Sequence, residues 1–261
     1  MFPTLASRPS LSEFGTGLGL PLRALRLIFT TPKVLALSVL GGLVTAATLL
    51  ALAPFWWSRS QAWAELLIGA DAGWQRFTSG VVGLPVFLLL YSVSALTLPN
   101  LVLAPLQDPL SEAAEARCGG FTPSPFTVSG FFRGIFESLA HTALRFGCMV
   151  LGFGLLLPLN LIPGVGSVLW VGLSTVWSMF WLAVEHLSNP AARHLHPFGQ
   201  VLAALRARRS LALGFGASLW VLLWVPVLNF FLLPVAIVAG TLLFRSLRQA
   251  GLLPPAPGTN G

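Results

Sequence analysis

Charge is scarce in this sequence. Asp, Glu, Lys and Arg together make up 9% of its 261 residues, where a soluble globular domain carries about a quarter. That is too little to coat a water-facing surface of this size, which excludes a soluble enzyme. Lysine is almost missing: Lys33 is the only one, and arginine supplies the rest of a net charge of +7. The arginines are spread over short segments between apolar runs rather than gathered on one domain, which argues against a nucleic-acid partner. The two cysteines, Cys118 and Cys148, form neither a zinc motif nor a disulfide framework. His194 and His196, with His186 upstream, have no carboxylate or cysteine at a ligand spacing, and residues two apart do not share a helix face. No metal and no cofactor is expected. Gly15, Gly17 and Gly19 follow no strand and precede no Lys-Ser/Thr pair, so they are not a phosphate loop. No nucleophile elbow and no paired carboxylates occur inside an apolar run, so no catalytic residue is assigned and an enzyme is not expected.

What the chain has instead is long apolar runs. Four stretches carry no charge at all: 34–57, 77–107, 146–184 and 210–244. A bilayer core of about 30 Å takes about 20 helical residues, so each run is long enough to enter one. The expected fold is all-α integral membrane: two long transmembrane helices from the first two runs, and two helical hairpins from the others. The third run is broken by Pro158, Asn160, Pro163 and Gly164, and the fourth by Pro226, Asn229 and Pro234. Proline lacks an N–H and clashes with the preceding turn, so paired prolines around Asn mark a reversal. The uncharged arms before Pro158 and Pro226 are then short, so the hairpins insert part way or thin the membrane around them. Residues 1–30 show no basic-apolar-cleavage pattern, and the run after Lys33 is expected to act as an uncleaved signal anchor.

The basic residues set an orientation. Arg8, Arg23, Arg26 and Lys33 precede the first run. Arg117, Arg133 and Arg145 lie between the second and third, Arg193, Arg206, Arg208 and Arg209 between the third and fourth, and Arg245 and Arg248 follow the last. Only Arg59 and Arg76 fall on the other side. This split puts both termini in the cytoplasm.

Short interfacial amphipathic helices are expected between the runs. Residues 14–29 place Leu18, Leu22, Leu25 and Phe29 on one face, and Pro32 stops that helix. Asp108-Pro109 reads as an N-cap followed by proline at the first helical position, opening a helix that carries Glu112 and Glu115 and stops at Cys118-Gly119-Gly120. Asn189-Pro190 repeats the cap-proline signature. Residues 121–128, with Pro123 and Pro125, read as a loop. Three parts follow: an interfacial segment 1–33, a transmembrane domain 34–244 and a disordered tail 245–261.

Two groups of residues are candidates for chemistry. Arg133, Glu137, His141 and Arg145 recur every four residues on the helix feeding the first hairpin. They form either an anion or proton path or the polar face of an interfacial helix whose arginines snorkel to headgroups. Arg23, Arg26 and Lys33 flank the start of the first span, where cations beside a helix N-terminus favour an anion. The same residues are also ordinary topology charges. No charge lies deep in a span, so a proton-relay pump is not indicated. Asn100, Asn160, Asn229, hydroxyls and backbone amides are left as polar contacts at depth.

Two stretches resemble a known family. Residues 99–115, with Pro105, Asp108, Pro109, Glu112 and Glu115, resemble the aPF-x-D-P-L-x-E-x-x-E signature of the etoposide-induced protein family of membrane proteins, which includes bacterial sulfate permeases of the CysZ type. Gly214-Phe215-Gly216, Pro226 with Asn229, and Pro234 followed by Gly240-Thr241 are similar to its C-terminal block. The resemblance implies an oligomer of long helices and partly inserted hairpins in the bacterial inner membrane. It implies uptake of sulfate or a related small inorganic anion, with the bilayer and further copies of the chain as partners. In CysZ-type members the sulfate site lies near a Gly-Leu-Arg stretch before the first span; the matching stretch here is Pro32-Lys33-Val34, where Lys33 stands in the place of the arginine. A non-transporting membrane scaffold, bending one leaflet with its hairpins, is the reading from a different class.

Overall fold

A computed structural model describes residues 12–68, 75–118, 128–224 and 226–253. Within the helices, the side chains of residues 67–68, 75–79, 96–97, 99–101, 104–105, 128–135, 137–139 and 226–231 lie outside that description. Among the described residues all regular structure is helical. The helices are α1 (Ser12–Leu18), α2 (Leu20–Thr30), α3 (Pro32–Ile68), α4 (Gln75–Arg117), α5 (Val128–Leu156), α6 (Gly166–Arg193), α7 (Phe198–Ala207), α8 (Arg209–Leu223) and α9 (Pro226–Gln249), with a 3-10 turn at Leu157–Leu161. Among the described residues, four stretches are long and apolar enough to cross a membrane: Pro32–Leu66, Ala140–Leu161, Gly166–Arg193 and Leu232–Gln249.

The chain divides into two compact units, Val39–Leu106 and the remainder. In the first, α3 and α4 meet through Trp57 and Phe87, whose ring centroids lie 5.4 Å apart, edge to face. Gln61 lies over Gly83, its Nε2 only 2.7 Å from where a Cβ would stand.

The second unit is built on α6, α8 and α9. Phe215, Leu187, Leu205, Leu211, Leu219, Phe244 and Leu247 are among its largest fully buried apolar side chains. Glycines let its helices approach. A Cβ at Gly17 would meet the Leu211 carbonyl, one at Gly214 the Phe14 carbonyl, one at Gly216 the Met179 carbonyl and one at Gly240 the His186 carbonyl. Each is a backbone-to-backbone contact of the kind that packs helices in membranes, where Cα–H groups lie against carbonyls. The outer face of α6 exposes Val168, Leu169, Val171, Leu173 and Val176, a predominantly apolar face suited to lipid.

Both expected reversals are present. The first follows α5 through the 3-10 turn and a tight turn in which Gly164 takes φ +78°, and Asn160 donates to the Leu157 carbonyl at 3.3 Å. At the second, α8 ends at Leu223 and α9 opens at Pro226.

Several boundaries differ from the sequence reading. Residues 14–29 are not one helix; α1 and α2 meet at Gly19. Asp108-Pro109 does not open a new helix, because α4 runs unbroken to Arg117. Pro109 removes one N–H, and helices of membrane proteins tolerate that loss where neighbouring groups re-satisfy the backbone. Asn189-Pro190 likewise sits inside α6. Asn189 is no cap because the helix runs through it; its amide instead donates to Gln107 Oε1 at 3.0 Å. The carbonyl that Pro190 deprives of its usual donor is that of His186, and it lies against Gly240. Pro234 belongs to α9 rather than to the reversal. That helix continues past residue 244 to Gln249, with Ser246 and Leu247 buried. The first hairpin's arms are longer than expected, since α5 takes in the polar stripe and spans 29 residues. α8 remains short at 15 residues, about 22 Å at 1.5 Å per residue. The loop 121–128 (apart from Val128, which opens α5) and the tail from residue 254 lie outside the described residues.

Candidate functional site

The polar groups of the second unit converge where α4, α6 and α9 end together. α6 closes with a Schellman turn: His196 N–H bonds the Ala191 carbonyl at 2.9 Å and Leu195 N–H the Ala192 carbonyl at 2.9 Å. Leu195 takes φ +57°, a left-handed conformation that costs a residue with a Cβ about 1–2 kcal/mol. The turn sets His194 flat on the Phe244 ring, centroids 5.0 Å apart, and His196 at 5.7 Å from the same ring.

Glu115 is the centre of this convergence. Its neighbours on α4, Leu110, Ala113 and Ala114, are buried and apolar, Ser111 one turn before it is buried and polar, and Glu115 itself is 2% exposed. It accepts from Arg193 Nη2 at 2.5 Å and lies 3.0 Å from His194 Nε2. An ionised carboxylate only accepts, so that nitrogen carries a proton. Arg193 Nη1 donates to the Asp108 carbonyl at 3.3 Å, and Arg245 Nη1 to the Glu115 carbonyl at 3.1 Å. Ser111 and Thr241 share a hydrogen bond of 2.8 Å beneath. From α5, His141 Nε2 donates to the His196 carbonyl at 2.9 Å. His196 Nδ1 meets Gln200 Oε1 at 3.3 Å.

Burial pushes the Glu115 carboxyl up, but the hydrogen bond and charge of His194, together with Arg193, outweigh it and hold it below the usual carboxylate range. Burial pushes the His196 imidazole down, more than its contact with Gln200 raises it. Both lie beyond the apolar stretches. Both shifts are depressions relative to the unfolded chain, so both contribute stability at higher pH. As pH falls below the ordinary histidine value of 6.5, the His196 contribution declines. Below the ordinary carboxylate value of 4.5, the Glu115 contribution follows. The thermal midpoint of the purified protein is therefore expected to fall in two stages on acidification from pH 8, and a midpoint flat from pH 8 to 4 would contradict the assignment.

A second buried ion pair joins α1 to the start of α8: Arg208 Nη1 donates to Glu13 Oε1, both residues nearly inaccessible. With Gly17 and Gly214 interlocked beside it, it fixes the N-terminal segment to the bundle.

The structure scatters the other sequence candidates. Arg23, Arg26 and Lys33 are exposed, the first two on α2 and the third in the opening turn of α3. The stripe on α5 divides. His141 turns inward as above, Arg145 pairs with Glu185 of α6 at 3.7 Å, and the side chains of Arg133 and Glu137 lie outside the description. Asn160 is exposed at the first reversal; the side chains of Asn100, Asn229, Pro105 and Pro226 are not described. Asp108 and Pro109 are exposed, Glu112 is half-buried, and Gly214, Gly216 and Pro234 are buried. Arg193, His194, Arg245 and the pair Glu13–Arg208 were not singled out from sequence as a site. No local pattern marks them, since each bonds a residue far away in the chain. No group of three or more His, Cys, Asp and Glu among the described residues could hold a metal.

Comparison with known proteins places these features in context. The profile of the family described as sulfate transporter CysZ/etoposide-induced protein 2.4 matches residues 20–234. The chain is 29% identical over 192 residues, 72% of its length and 76% of theirs, to proteins named sulfate transporter CysZ from Salmonella typhi and Salmonella enteritidis PT4. The same protein of Salmonella typhimurium matches over the same extent.

Proposed function

The chain belongs to the family of sulfate transporter CysZ and etoposide-induced protein 2.4, and from that premise we propose that it is a membrane permease for sulfate or a closely related small inorganic anion. The observation that carries this reading is the likeness to proteins named sulfate transporters over 72% of the chain. The protein acts as a homo-oligomer in the bacterial inner membrane, with both termini cytoplasmic. The interfacial segment 1–33 feeds the transmembrane domain 34–244.

Sulfate is strongly hydrated and doubly charged, so a permease must first concentrate it and then replace its water without trapping it. Arg23, Arg26 and Lys33 perform the first task. Three exposed cations at the mouth of the first span raise the local concentration of a dianion, an effect on the order of tenfold or more at low salt. The second task falls to neutral groups. With no charge deep in a span, the amides of Asn100, Asn160 and Asn229, with hydroxyls and backbone N–H groups, offer contacts that are favourable for entry and weak enough for release.

The test is uptake of radiolabelled sulfate into liposomes holding purified protein. Uptake is expected above empty liposomes and is expected to be reduced by unlabelled sulfite, thiosulfate or phosphate where they share the path. The triple variant Arg23→Gln, Arg26→Gln, Lys33→Gln should take up sulfate roughly tenfold more slowly at low ionic strength. Intact oligomer without uptake would overturn the reading.

A further inference from the structure

The short helix α2 carries three distinct faces. At about 100° per residue, its buried residues Leu20, Pro21, Ala24 and Ile28 fall within one arc of roughly 100°, turned into the bundle toward α9. The rest of its circumference is open, and the open part is sorted by chemistry. Phe29 and Leu22, 71% and 70% exposed, lie together on one side, with half-buried Leu25 next to them. Arg26, Thr30 and Arg23, all exposed, lie together on the other.

A face turned only to water has no use for two aromatic and aliphatic side chains standing clear of the protein, and a face turned only to acyl chains has no place for two guanidinium groups. A helix lying at the boundary of both needs this arrangement, with an apolar arc sunk among the acyl chains and a basic arc level with the headgroups. Its position in the chain agrees. α3, the longest apolar stretch, opens at Pro32, so α2 ends within two residues of where the chain enters the bilayer. Phe14 and Leu18 of α1, 39% and 40% exposed, add apolar side chains just before α2. Among the described residues neither Arg23 nor Arg26 has an ion-pair partner.

We infer that the outer face of α2 is a docking surface for anionic phospholipid, with Arg23 and Arg26 holding headgroup phosphate while Leu22 and Phe29 enter the acyl region beneath it. Planar guanidinium groups suit phosphate better than ammonium groups do. The consequence is a segment anchored at two points, to the protein by its buried arc and to a negatively charged leaflet by its open one. The inference does not depend on which anion the protein carries, but it engages two of the three cations that the proposed function sets to attract sulfate.

The test uses full-length protein purified in neutral detergent and titrated with short-chain phosphatidylglycerol or short-chain phosphatidylcholine. Phosphatidylglycerol is expected to bind roughly thirtyfold more tightly, the effect of two basic groups at a lipid surface. That preference should be lost in the double variant Arg23→Gln, Arg26→Gln and kept in Arg206→Gln, Arg209→Gln, which removes two other exposed arginines. All four side chains are exposed, so the variants fold. An unchanged preference in the first double variant would overturn the inference. So would an equal loss in both, because lipid would then be reading the total charge of the protein rather than this helix.

Discussion

Replacing Glu115 with alanine is expected to cost about 3–5 kcal/mol, the usual consequence of removing one partner from a buried ion pair. For a protein of this size that corresponds to a fall in thermal midpoint on the order of 10 °C. The magnitude follows from what is left behind. Arg193 and His194, whose side chains are 14% and 11% exposed, would keep their places between α4, α6 and α9 but lose the Glu115 carboxylate that both now face. The Arg245 bond runs to the Glu115 main chain and survives the change. Glu115→Gln should fall between, since the amide oxygen still accepts one bond while the charge is gone. The double variant Glu115→Ala, Arg193→Ala should lose less than the two single variants together, because residues in one network do not add. Thermal unfolding of the unsubstituted protein, Glu115→Ala, Glu115→Gln, Arg193→Ala and the double variant in one detergent decides it. Losses that simply add would show that Glu115 and Arg193 act separately, against the geometry.

The parts of this architecture that could be read in advance are those whose cause is local. Scarce charge and long apolar runs dictate a membrane protein whatever the tertiary structure. The reversal at Pro158–Gly164 was legible because two prolines cluster there with a glycine, which takes φ +78°, whereas the single prolines Pro109, Pro190 and Pro234 stay inside helices. Capping was misread at Asp108 and Asn189 for the opposite reason. A cap requires the helix to begin there, and both residues lie inside helices that packing carries through, with Asn189 donating to Gln107, 82 residues away. The family signature pointed at Glu115 and at Gly214 and Gly216, but not at why they matter, since Arg193 and the Phe14 and Met179 carbonyls are supplied by distant segments. His194 and His196 were set aside as a metal pair because residues two apart diverge on a helix. They in fact lie beyond the helix end, where Leu195 in its left-handed conformation brings both rings onto Phe244. Glu13 and Arg208, separated by 195 positions, leave no trace in any window of sequence.

The glycines of α8 offer the prediction in which intrinsic preference and tertiary packing disagree in sign. Alanine is favoured over glycine by about 0.8–1.0 kcal/mol inside a helix, so on propensity alone Gly216→Ala should stabilise. In the folded protein the new methyl would overlap the Met179 carbonyl of α6. That atom is backbone and cannot rotate away, so α8 must move. α8 is held on both sides: Gly214 lies against the Phe14 carbonyl of α1, and Arg208 just before it is tied to Glu13. A shift away from α6 therefore drives α8 into α1. Overpacking of this kind costs about 1–3 kcal/mol, more than the propensity gain, and Gly216→Ala is expected to lower the thermal midpoint by several degrees. Gly172 in α6 is the control, because a Cβ there meets nothing within 4 Å and only the propensity term acts. Gly172→Ala should leave the midpoint unchanged or raise it. If Gly216→Ala rose with it, the close approach of α8 to α6 would not be a packing constraint. A fall confined to Gly216 would show that this glycine sets how near the two helices stand.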